Sequence, residues 1–180
     1  VHQPGKNLGF AGGNNVALER ALADGADYAF LLNHDAAFEP GALRAAVDVA
    51  TADPRVGSVQ SLLVLADAPD LVNSRGNQLH YLGFGYVGGL NTSRADVPDE
   101  VVDIAFASGA CVLLPAHVLR EVGLFDEHLW LYHEDCDLGW RIRLRGYRNV
   151  LAPRSVCRHA YEFGRSPNKW LLLERNRWLV

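Results

Sequence analysis

Apolar positions along the chain fall into two rhythms. After the polar pair Asn14–Asn15, Val16, Leu18, Ala21 and Leu22 recur at helical spacing and stop at Gly25, which predicts a capped amphipathic helix. Tyr28 to Leu32 is an unbroken apolar run, short enough for a strand covered on both faces and central in its sheet. Asn33-His34-Asp35 follows it directly. Pro40 then opens a second helix with Leu43, Ala46, Val47 and Ala50 in phase, and Val56 to Leu65 is the next strand. Strand, helix and strand in alternation predict an α/β fold with a partly parallel sheet.

From Ala66 to Asp103 both rhythms fade. Gly76, Gly83, Gly85, Gly88 and Gly89 punctuate a stretch holding His80, Tyr81, Phe84 and Tyr86, which reads as a long mobile loop able to close over a ligand. Beyond it, Asp103–Phe106 and Cys111–Leu114 read as strands flanking Ser108-Gly109-Ala110. Pro115 starts a short helix ending near Gly123, and Glu134 to Arg145 forms another, stopped by Gly146. Val150-Leu151 and Val156-Cys157 are short strands. Helix resumes at Trp170 and runs out without a stop signal.

Composition narrows the class. With 180 residues, 49% hydrophobic and 21% charged, the chain suits one globular domain and is too apolar for disorder. No apolar run reaches the roughly 18 residues of a membrane span, and Val1 to Lys6 lacks the apolar core of a signal peptide. Three cysteines, an odd and sparse count, argue for a reducing compartment, hence a cytoplasmic location. Charge is uneven: residues 1–140 carry 7 basic and 19 acidic side chains, residues 141–180 carry 10 and 2. The basic third is expected to face a phosphate-bearing ligand or an anionic membrane, or else to be a solvated face with structural arginines. A nucleic-acid partner is not expected, since no aromatic platform accompanies the basic residues and the acidic remainder would repel a polyanion.

Three constellations carry candidate chemistry. Asn33-His34-Asp35 sits at the end of a buried strand, where α/β sheets bind ligands and a carboxylate can hold a hard cation; alone, Asp35 reads equally as a turn residue. Glu134, Asp135 and Asp137 crowd the first turn of a helix, whose dipole favours anions. Asp137 is explained by an ion pair with Arg141 on the helix surface. Glu134 and Asp135 are not, and partial burial among aromatic neighbours would raise a carboxylate toward the range of a general base. His159, near a strand, reads as a structural histidine or a metal ligand.

In order and approximate spacing, Asn7-Leu8-Gly9-Phe10-Ala11-Gly12-Gly13-Asn14-Asn15, Leu31-Leu32-Asn33-His34-Asp35, Gly109-Ala110, Gly123-Leu124-Phe125-Asp126-Glu127, Tyr132-His133-Glu134-Asp135-Cys136-Asp137-Leu138 with Arg141, and His159 together resemble the family 2 glycosyltransferases, in the branch of rhamnosyl and galactofuranosyl transferases. Each motif is weak alone; the ordered set is specific and covers nearly the whole chain. The resemblance implies a GT-A-like fold, a mixed and mainly parallel sheet flanked by helices in a single domain over residues 1–180. It also implies inverting transfer from a nucleotide-diphosphate sugar to a glycan or lipid-linked acceptor in cell-surface polysaccharide synthesis, with Mn²⁺ or Mg²⁺ as cofactor. By the same resemblance Asp135 matches the catalytic base and Glu134 its acidic partner toward a bound sugar. Asp35 matches the metal-binding end of the Asp-x-Asp motif, Asn33 its first position, and His159 the late histidine of the metal shell. Gly12 and Asn15 match a segment lining the nucleotide pocket, and Gly109 and Ala110 the backbone beside the donor sugar.

Family members normally place a strand, a turn and a second strand before the Asn-Leu-Gly-Phe segment, so the expectation is an N-terminally truncated fragment of a longer enzyme, working at the inner face of the membrane. Three other readings remain open: a non-catalytic nucleotide- or sugar-binding module on a transferase scaffold, a purely structural role, and a metal-dependent phosphoesterase built on Asp35, His159, Glu134 and Asp135.

Overall fold

The computed structural model describes residues 4–161 and 168–180. Helix α1 spans Gly9–Ala23, strand β1 Tyr28–Leu32 and β2 Ala36–Phe38. Helix α2 (Ala42–Ala52) and strand β3 (Val56–Leu65) follow. Three short strands come next, β4 (Val72–Ser74), β5 (Asn77–Leu79) and β6 (Gly85–Val87), then a 3-10 turn and β7 (Val102–Asp103). Strand β8 (Cys111–Pro115), helices α3 (Ala116–Val122) and α4 (Glu134–Leu144), strand β9 (Arg148–His159) and helix α5 (Lys169–Arg177) complete the order.

The main sheet runs β1-β8-β3-β9-β2, with β4 added to β3 and β7 to β9. It is mixed. Its longest pairing, β3 with β9, is parallel, and the flanking pairs are antiparallel. Since β8 runs against both β1 and β3, strands β1, β3 and β9 end at one edge of the sheet and β8 begins there. Ligands of open α/β sheets bind outside such an edge.

Tyr28–Leu32 corrects one expectation. It is a strand with covered faces, but it lies at the end of the path and pairs with β8 alone among the described strands. Leu31 and Ala29 pack on the side that holds Leu18 of α1, Tyr28 and Phe30 on the side that holds Ala46 and Ala50 of α2. Two covered faces make a strand apolar throughout, whether or not it has two strand neighbours.

Helix α1 begins earlier than Asn14. The Trp130 carbonyl accepts the N–H groups of Phe10 (2.7 Å) and Ala11 (3.2 Å), so a distant loop supplies the cap. Gly9, at φ +72°, is required there because a Cβ would collide with that carbonyl. The stretch around Gly76–Asn91 is no open loop but the β5–β6 hairpin, with Asn77 opposite Val87. Gly88 lies so close to Gly76 that its N–H donates to the Gly76 carbonyl at 2.8 Å, and a Cβ would meet that oxygen at 2.7 Å. The glycines admit backbone contact instead of conferring freedom. The expected strand over Asp103–Phe106 shrinks to β7 and one bridge between Asn77 and Phe106. The two short strands expected near residues 150 and 157 are one strand, β9, whose register against β3 jumps between Ser61–Ala152 and Leu62–Val156. The bulge accommodates Pro153, which has no N–H to give to a ladder. No helix among the described residues is long and apolar enough to cross a membrane.

Candidate active site

The strand edge gathers the motifs into one line. At one end, β2 pairs antiparallel with the end of β9, Ala36 facing His159, and the Ala160 N–H donates to the Asp35 carbonyl at 2.9 Å. This brings His159 Nε2 to 3.4 Å from Asp35 Oδ1. Asn73 of β4 lies on the other side of the imidazole, its Oδ1 2.9 Å from His159 Nδ1. With the amide oxygen as acceptor, Nδ1 would carry the proton and Nε2 would be left for a cation shared with Asp35. Burial lowers the His159 pKa, the Asp35 charge opposing it, which favours the neutral imidazole that metals bind. A neutral nitrogen and a carboxylate oxygen converging in this way form a donor pair suited to a divalent cation. Among the described residues no cluster of three His, Cys, Asp or Glu side chains could hold a metal. The pair therefore fits an ion whose remaining positions are filled by ligand phosphates and water, as Mg²⁺ sites commonly are.

One step along the edge, the Asn33 N–H donates to the Ala110 carbonyl at 2.9 Å, tying the β1 turn to the Ser108–Ala110 turn. Gly109 in that turn donates its N–H to Asp135 Oδ2 at 3.2 Å, and the Cys136 N–H reaches Asp135 Oδ1 at 2.8 Å. A Cβ on Gly109 would lie 2.7 Å from the Phe10 ring, so only glycine brings this N–H so close to the carboxylate. The turn is held from behind by Gln60 of β3, fully buried, which accepts the Ser108 N–H at 2.8 Å. Gln60 in turn donates to Ser74 Oγ, and Ser74 donates to Asn77 Oδ1.

Asp135 and Glu134 open α4 on a strained approach. Trp130, Tyr132 and His133 all have positive φ (59°, 69° and 68°), costly for residues with side chains. Asn176 of α5, wholly buried, compensates by donating to the carbonyls of Leu129, Leu131 and Tyr132 at 2.6–3.0 Å. Burial pushes Glu134 up to about 8, with the neighbouring Asp135 charge adding to it. Desolvation also raises Asp135, opposed by the N–H groups of Gly109 and Cys136. Glu134 Oε2 and His133 Nδ1 are buried without a hydrogen-bond partner among the described residues. Both side chains, with Asp135, line a cleft of about 390 Å³ bounded by the β5–β6 hairpin, Tyr132, Tyr161 and the start of α5.

Asn15 and Gly12 do not line this cleft. The buried Asn15 amide donates to the Phe125 carbonyl and to Glu127 Oε1 and accepts the Phe125 N–H, pinning α1 to the loop before α4. Gly12 packs against Leu8 and the Glu127 carboxyl. Both positions thus face the Phe125–Glu127 loop in this structure. Asp137 pairs with Arg141 as expected (2.7 Å), yet Arg141 also donates to the Val122 and Leu124 carbonyls, so this is a partly buried brace for the α3–α4 connection and not a surface pair. The sequence reading missed Asn73, Gln60 and Asn176, single polar residues in apolar surroundings with no motif to mark them. It also missed Lys169, one of only two lysines in the chain.

The architecture is that of a GT-A-like fold. It superposes on the crystal structure of GalNAc-T7 with UDP, GalNAc and Mn²⁺ at a TM-score of 0.70, with 12% identity over 87% of this chain and 31% of that one. It matches the Pyrobaculum calidifontis mannosyltransferase PcManGT, in complex with GDP-Man and Mn²⁺, at 0.56, with 18% identity over 99% and 43%. In sequence, residues 4–180 match the family model described as glycosyltransferase like family 2, and the chain belongs to that family. An N-acetylglucosaminyl-diphospho-decaprenol L-rhamnosyltransferase of Mycobacterium tuberculosis is 29% identical over 157 residues, covering 78% of this chain and 50% of that protein. The chain thus spans about half the length of the curated relatives it matches.

Proposed function

We propose that this chain carries the reaction centre of an inverting glycosyltransferase that moves a sugar from a nucleotide diphosphate to the hydroxyl of a glycan or lipid-linked acceptor. The observation that carries the reading is the hydrogen-bonded line from the Asp35–His159 pair through Asn33, Ala110 and Gly109 to Asp135. It sets a candidate cation site and a candidate base on one edge, the arrangement that single displacement at a sugar phosphate requires. Asp135 takes the proton of the acceptor hydroxyl. The acceptor oxygen then bonds to the anomeric carbon as the bond to the diphosphate oxygen breaks on the opposite face, which inverts the centre. Burial makes Asp135 a stronger base than an exposed aspartate. Glu134, neutral at pH 7 when its pKa is about 8, can donate to a sugar oxygen.

Asp35 and His159 would hold a Mn²⁺ or Mg²⁺ ion, which neutralises the charge that grows on the leaving diphosphate. The neighbours solved with Mn²⁺ and nucleotide ligands support this, and the lipid diphosphate in the mycobacterial relative's name supports a lipid-linked acceptor. Exposed Trp170 and Leu171 on α5 and Trp178 just beyond it, with Tyr81 and Leu82 on the hairpin, support contact with a lipid-borne acceptor. The test is a transfer assay on the full-length protein with a set of nucleotide sugars, the product anomer read by proton NMR. An inverted product that is lost in Asp135→Asn is expected. Retention of configuration, or donor binding with no turnover in the full-length protein, would overturn the reading; the second outcome would leave a binding module.

A further inference from the structure

His133 stands at the start of α4 and reaches across to the tip of the β5–β6 hairpin, where its Nε2 lies 3.3 Å from the Gly83 carbonyl. A backbone carbonyl only accepts, so Nε2 carries the proton in this contact and a neutral ring keeps Nδ1 as an acceptor. The carbonyl is held from the other side as well. The Gly83 N–H donates to the His80 carbonyl at 2.8 Å, and Arg177 of α5 donates to the Leu82 carbonyl at 2.9 Å. The Arg177 guanidinium covers the Phe84 ring at 4.5 Å, and a Cβ on Gly83, at φ +82°, would lie 3.0 Å from Arg177 Cγ. Nε2 is thus used on a clamped turn, which leaves the ring one nitrogen for other chemistry.

That nitrogen is buried and unpaired. His133 is 7% exposed, and its Nδ1 has no hydrogen-bond partner among the described residues; the same holds for Oε2 of Glu134, 5% exposed. Folded proteins rarely leave such groups unpaired unless something else supplies the partner. His133 also adopts φ +68°, costly for its side chain, and capping does not explain this, since the side chain makes no cap hydrogen bond. Both side chains line the same cleft, whose other walls carry the rings of Tyr86, Phe106 and Tyr132. With its pKa raised to about 8, the Glu134 carboxyl holds a proton to donate, while Nδ1 needs one. A hydroxyl satisfies both through one oxygen, donating to the imidazole and accepting from the carboxyl. Ring faces beside a pair that binds hydroxyls suit a sugar, which has apolar faces and a polar edge.

We infer that His133 is a specificity-determining residue, whose Nδ1 accepts a hydrogen bond from one hydroxyl of a sugar in this cleft while Glu134 meets the same oxygen. The inference rests on the transferase reading for the two sources of that sugar, the acceptor and the donor. The test is nitrogen-15 NMR of His133 in the full chain with two kinds of probe. Neutral methyl glycosides of N-acetylglucosamine, rhamnose, galactose and mannose stand for the acceptor. UDP-glucose and GDP-mannose, compared with UDP and GDP and all with Mn²⁺, stand for the donor. Nδ1 is expected to resonate as an unprotonated nitrogen and to move upfield with at least one sugar. Movement with a methyl glycoside assigns the hydroxyl to the acceptor, and movement with a nucleotide sugar but not its nucleotide assigns it to the donor. A protonated Nδ1 in the unliganded protein, or no movement with any probe, overturns the inference. Two variants then divide the ring. His133→Gln sets an amide near Nε2, keeping a donor for Gly83 and losing Nδ1, whereas His133→Asn sets one near Nδ1. Calorimetry should show the selected sugar weakened about 10-fold in His133→Gln and partly restored in His133→Asn. Wild type and His133→Gln should bind alike the monodeoxy sugar that lacks the bonded hydroxyl. An equal loss in His133→Gln for the parent sugar and every monodeoxy derivative marks a merely structural histidine and overturns the inference. None of these measurements needs turnover, so a full-length protein that binds sugar through His133 and transfers none counts against the transferase reading alone.

Discussion

Asp35 and His159, far apart in the chain, face each other at 3.4 Å because the short strand β2 returns alongside the end of β9. The contact depends on the bulge in β9: once the register has jumped at Val156, the last residues of that strand run on in phase beside Leu63–Leu65 and place His159 at the sheet edge. A helical or looped Ala36–Phe38 would leave the two side chains apart. If the pair binds a divalent ion, Asp35→Asn should lower Mn²⁺-dependent donor affinity more than it lowers the turnover of bound donor. Measuring donor affinity against Mn²⁺ concentration checks this. An Asp35→Asn protein with unchanged Mn²⁺ dependence would remove Asp35 from the ion.

Asn73 supplies a separate test of the same pair. Its amide oxygen lies 2.9 Å from His159 Nδ1, a contact that would favour the Nδ1–H tautomer with Nε2 toward Asp35. Asn73→Leu removes the acceptor while keeping the volume, and the tautomer equilibrium should move toward the Nε2–H form. Nitrogen-15 shifts of the metal-free imidazole read this directly. Mn²⁺ affinity should fall about 10- to 100-fold, the usual effect of losing a group that orients a ligand. Retention of the Nδ1–H tautomer in the variant would show that Asn73 does not orient the ring.

Much of this edge was legible in the sequence, and the reason is chemical. Asn33, Asp35, Asp135 and His159 carry charge or ligand capacity in short ordered motifs, and the apolar run of β1 announces a strand whose faces are covered. What could not be read was pairing at a distance. Nothing in Tyr28–Leu32 distinguishes an end strand from a central one, since helices cover both faces in either case. The hairpin was hidden because its glycines permit close backbone contact as readily as they permit motion. The partners of Asn15, Phe125 and Glu127, are distant in sequence, so its contacts could not be read from its motif. Gln60 and Asn176 are single polar residues whose importance lies wholly in the carbonyls and N–H groups they meet after folding.

Asp135→Asn should lower transfer roughly 10²- to 10⁴-fold, the usual worth of a general base, while nucleotide-sugar binding stays near normal. The amide can still accept from the Gly109 and Cys136 N–H groups. Asp137→Asn should behave differently. It weakens the pair with Arg141 that braces the backbone at Val122 and Leu124, so it should cost about 1–3 kcal/mol of stability with a much smaller effect on the chemical step. Chemical denaturation and single-turnover rates on both variants separate the roles. A dead Asp137→Asn beside an active Asp135→Asn would reassign the base.

Glu134 makes stability depend on pH in a definite direction. Its folded pKa of about 8 lies above the ordinary 4.5, so between these values the folded state holds a proton that the unfolded state has released. Stability from this group is therefore fully present below about pH 4.5 and is lost as pH rises through about 8. The physical cost at high pH is a second negative charge beside Asp135 in a site where Glu134 Oε2 has no partner among the described residues. Glu134→Gln keeps the size and removes the titration, so its melting temperature should fall less than that of the wild type between pH 5 and pH 8.5. The acid limb of transfer should stay in place, because Glu134 is already neutral where Asp135 titrates and the burial that raises Asp135 is kept. Thermal melts and kcat/KM profiles over that range check both expectations. Parallel melting curves for wild type and Glu134→Gln would show that the glutamate is ionised and solvated in the folded protein, which would remove it as the hydrogen-bond donor proposed for the sugar.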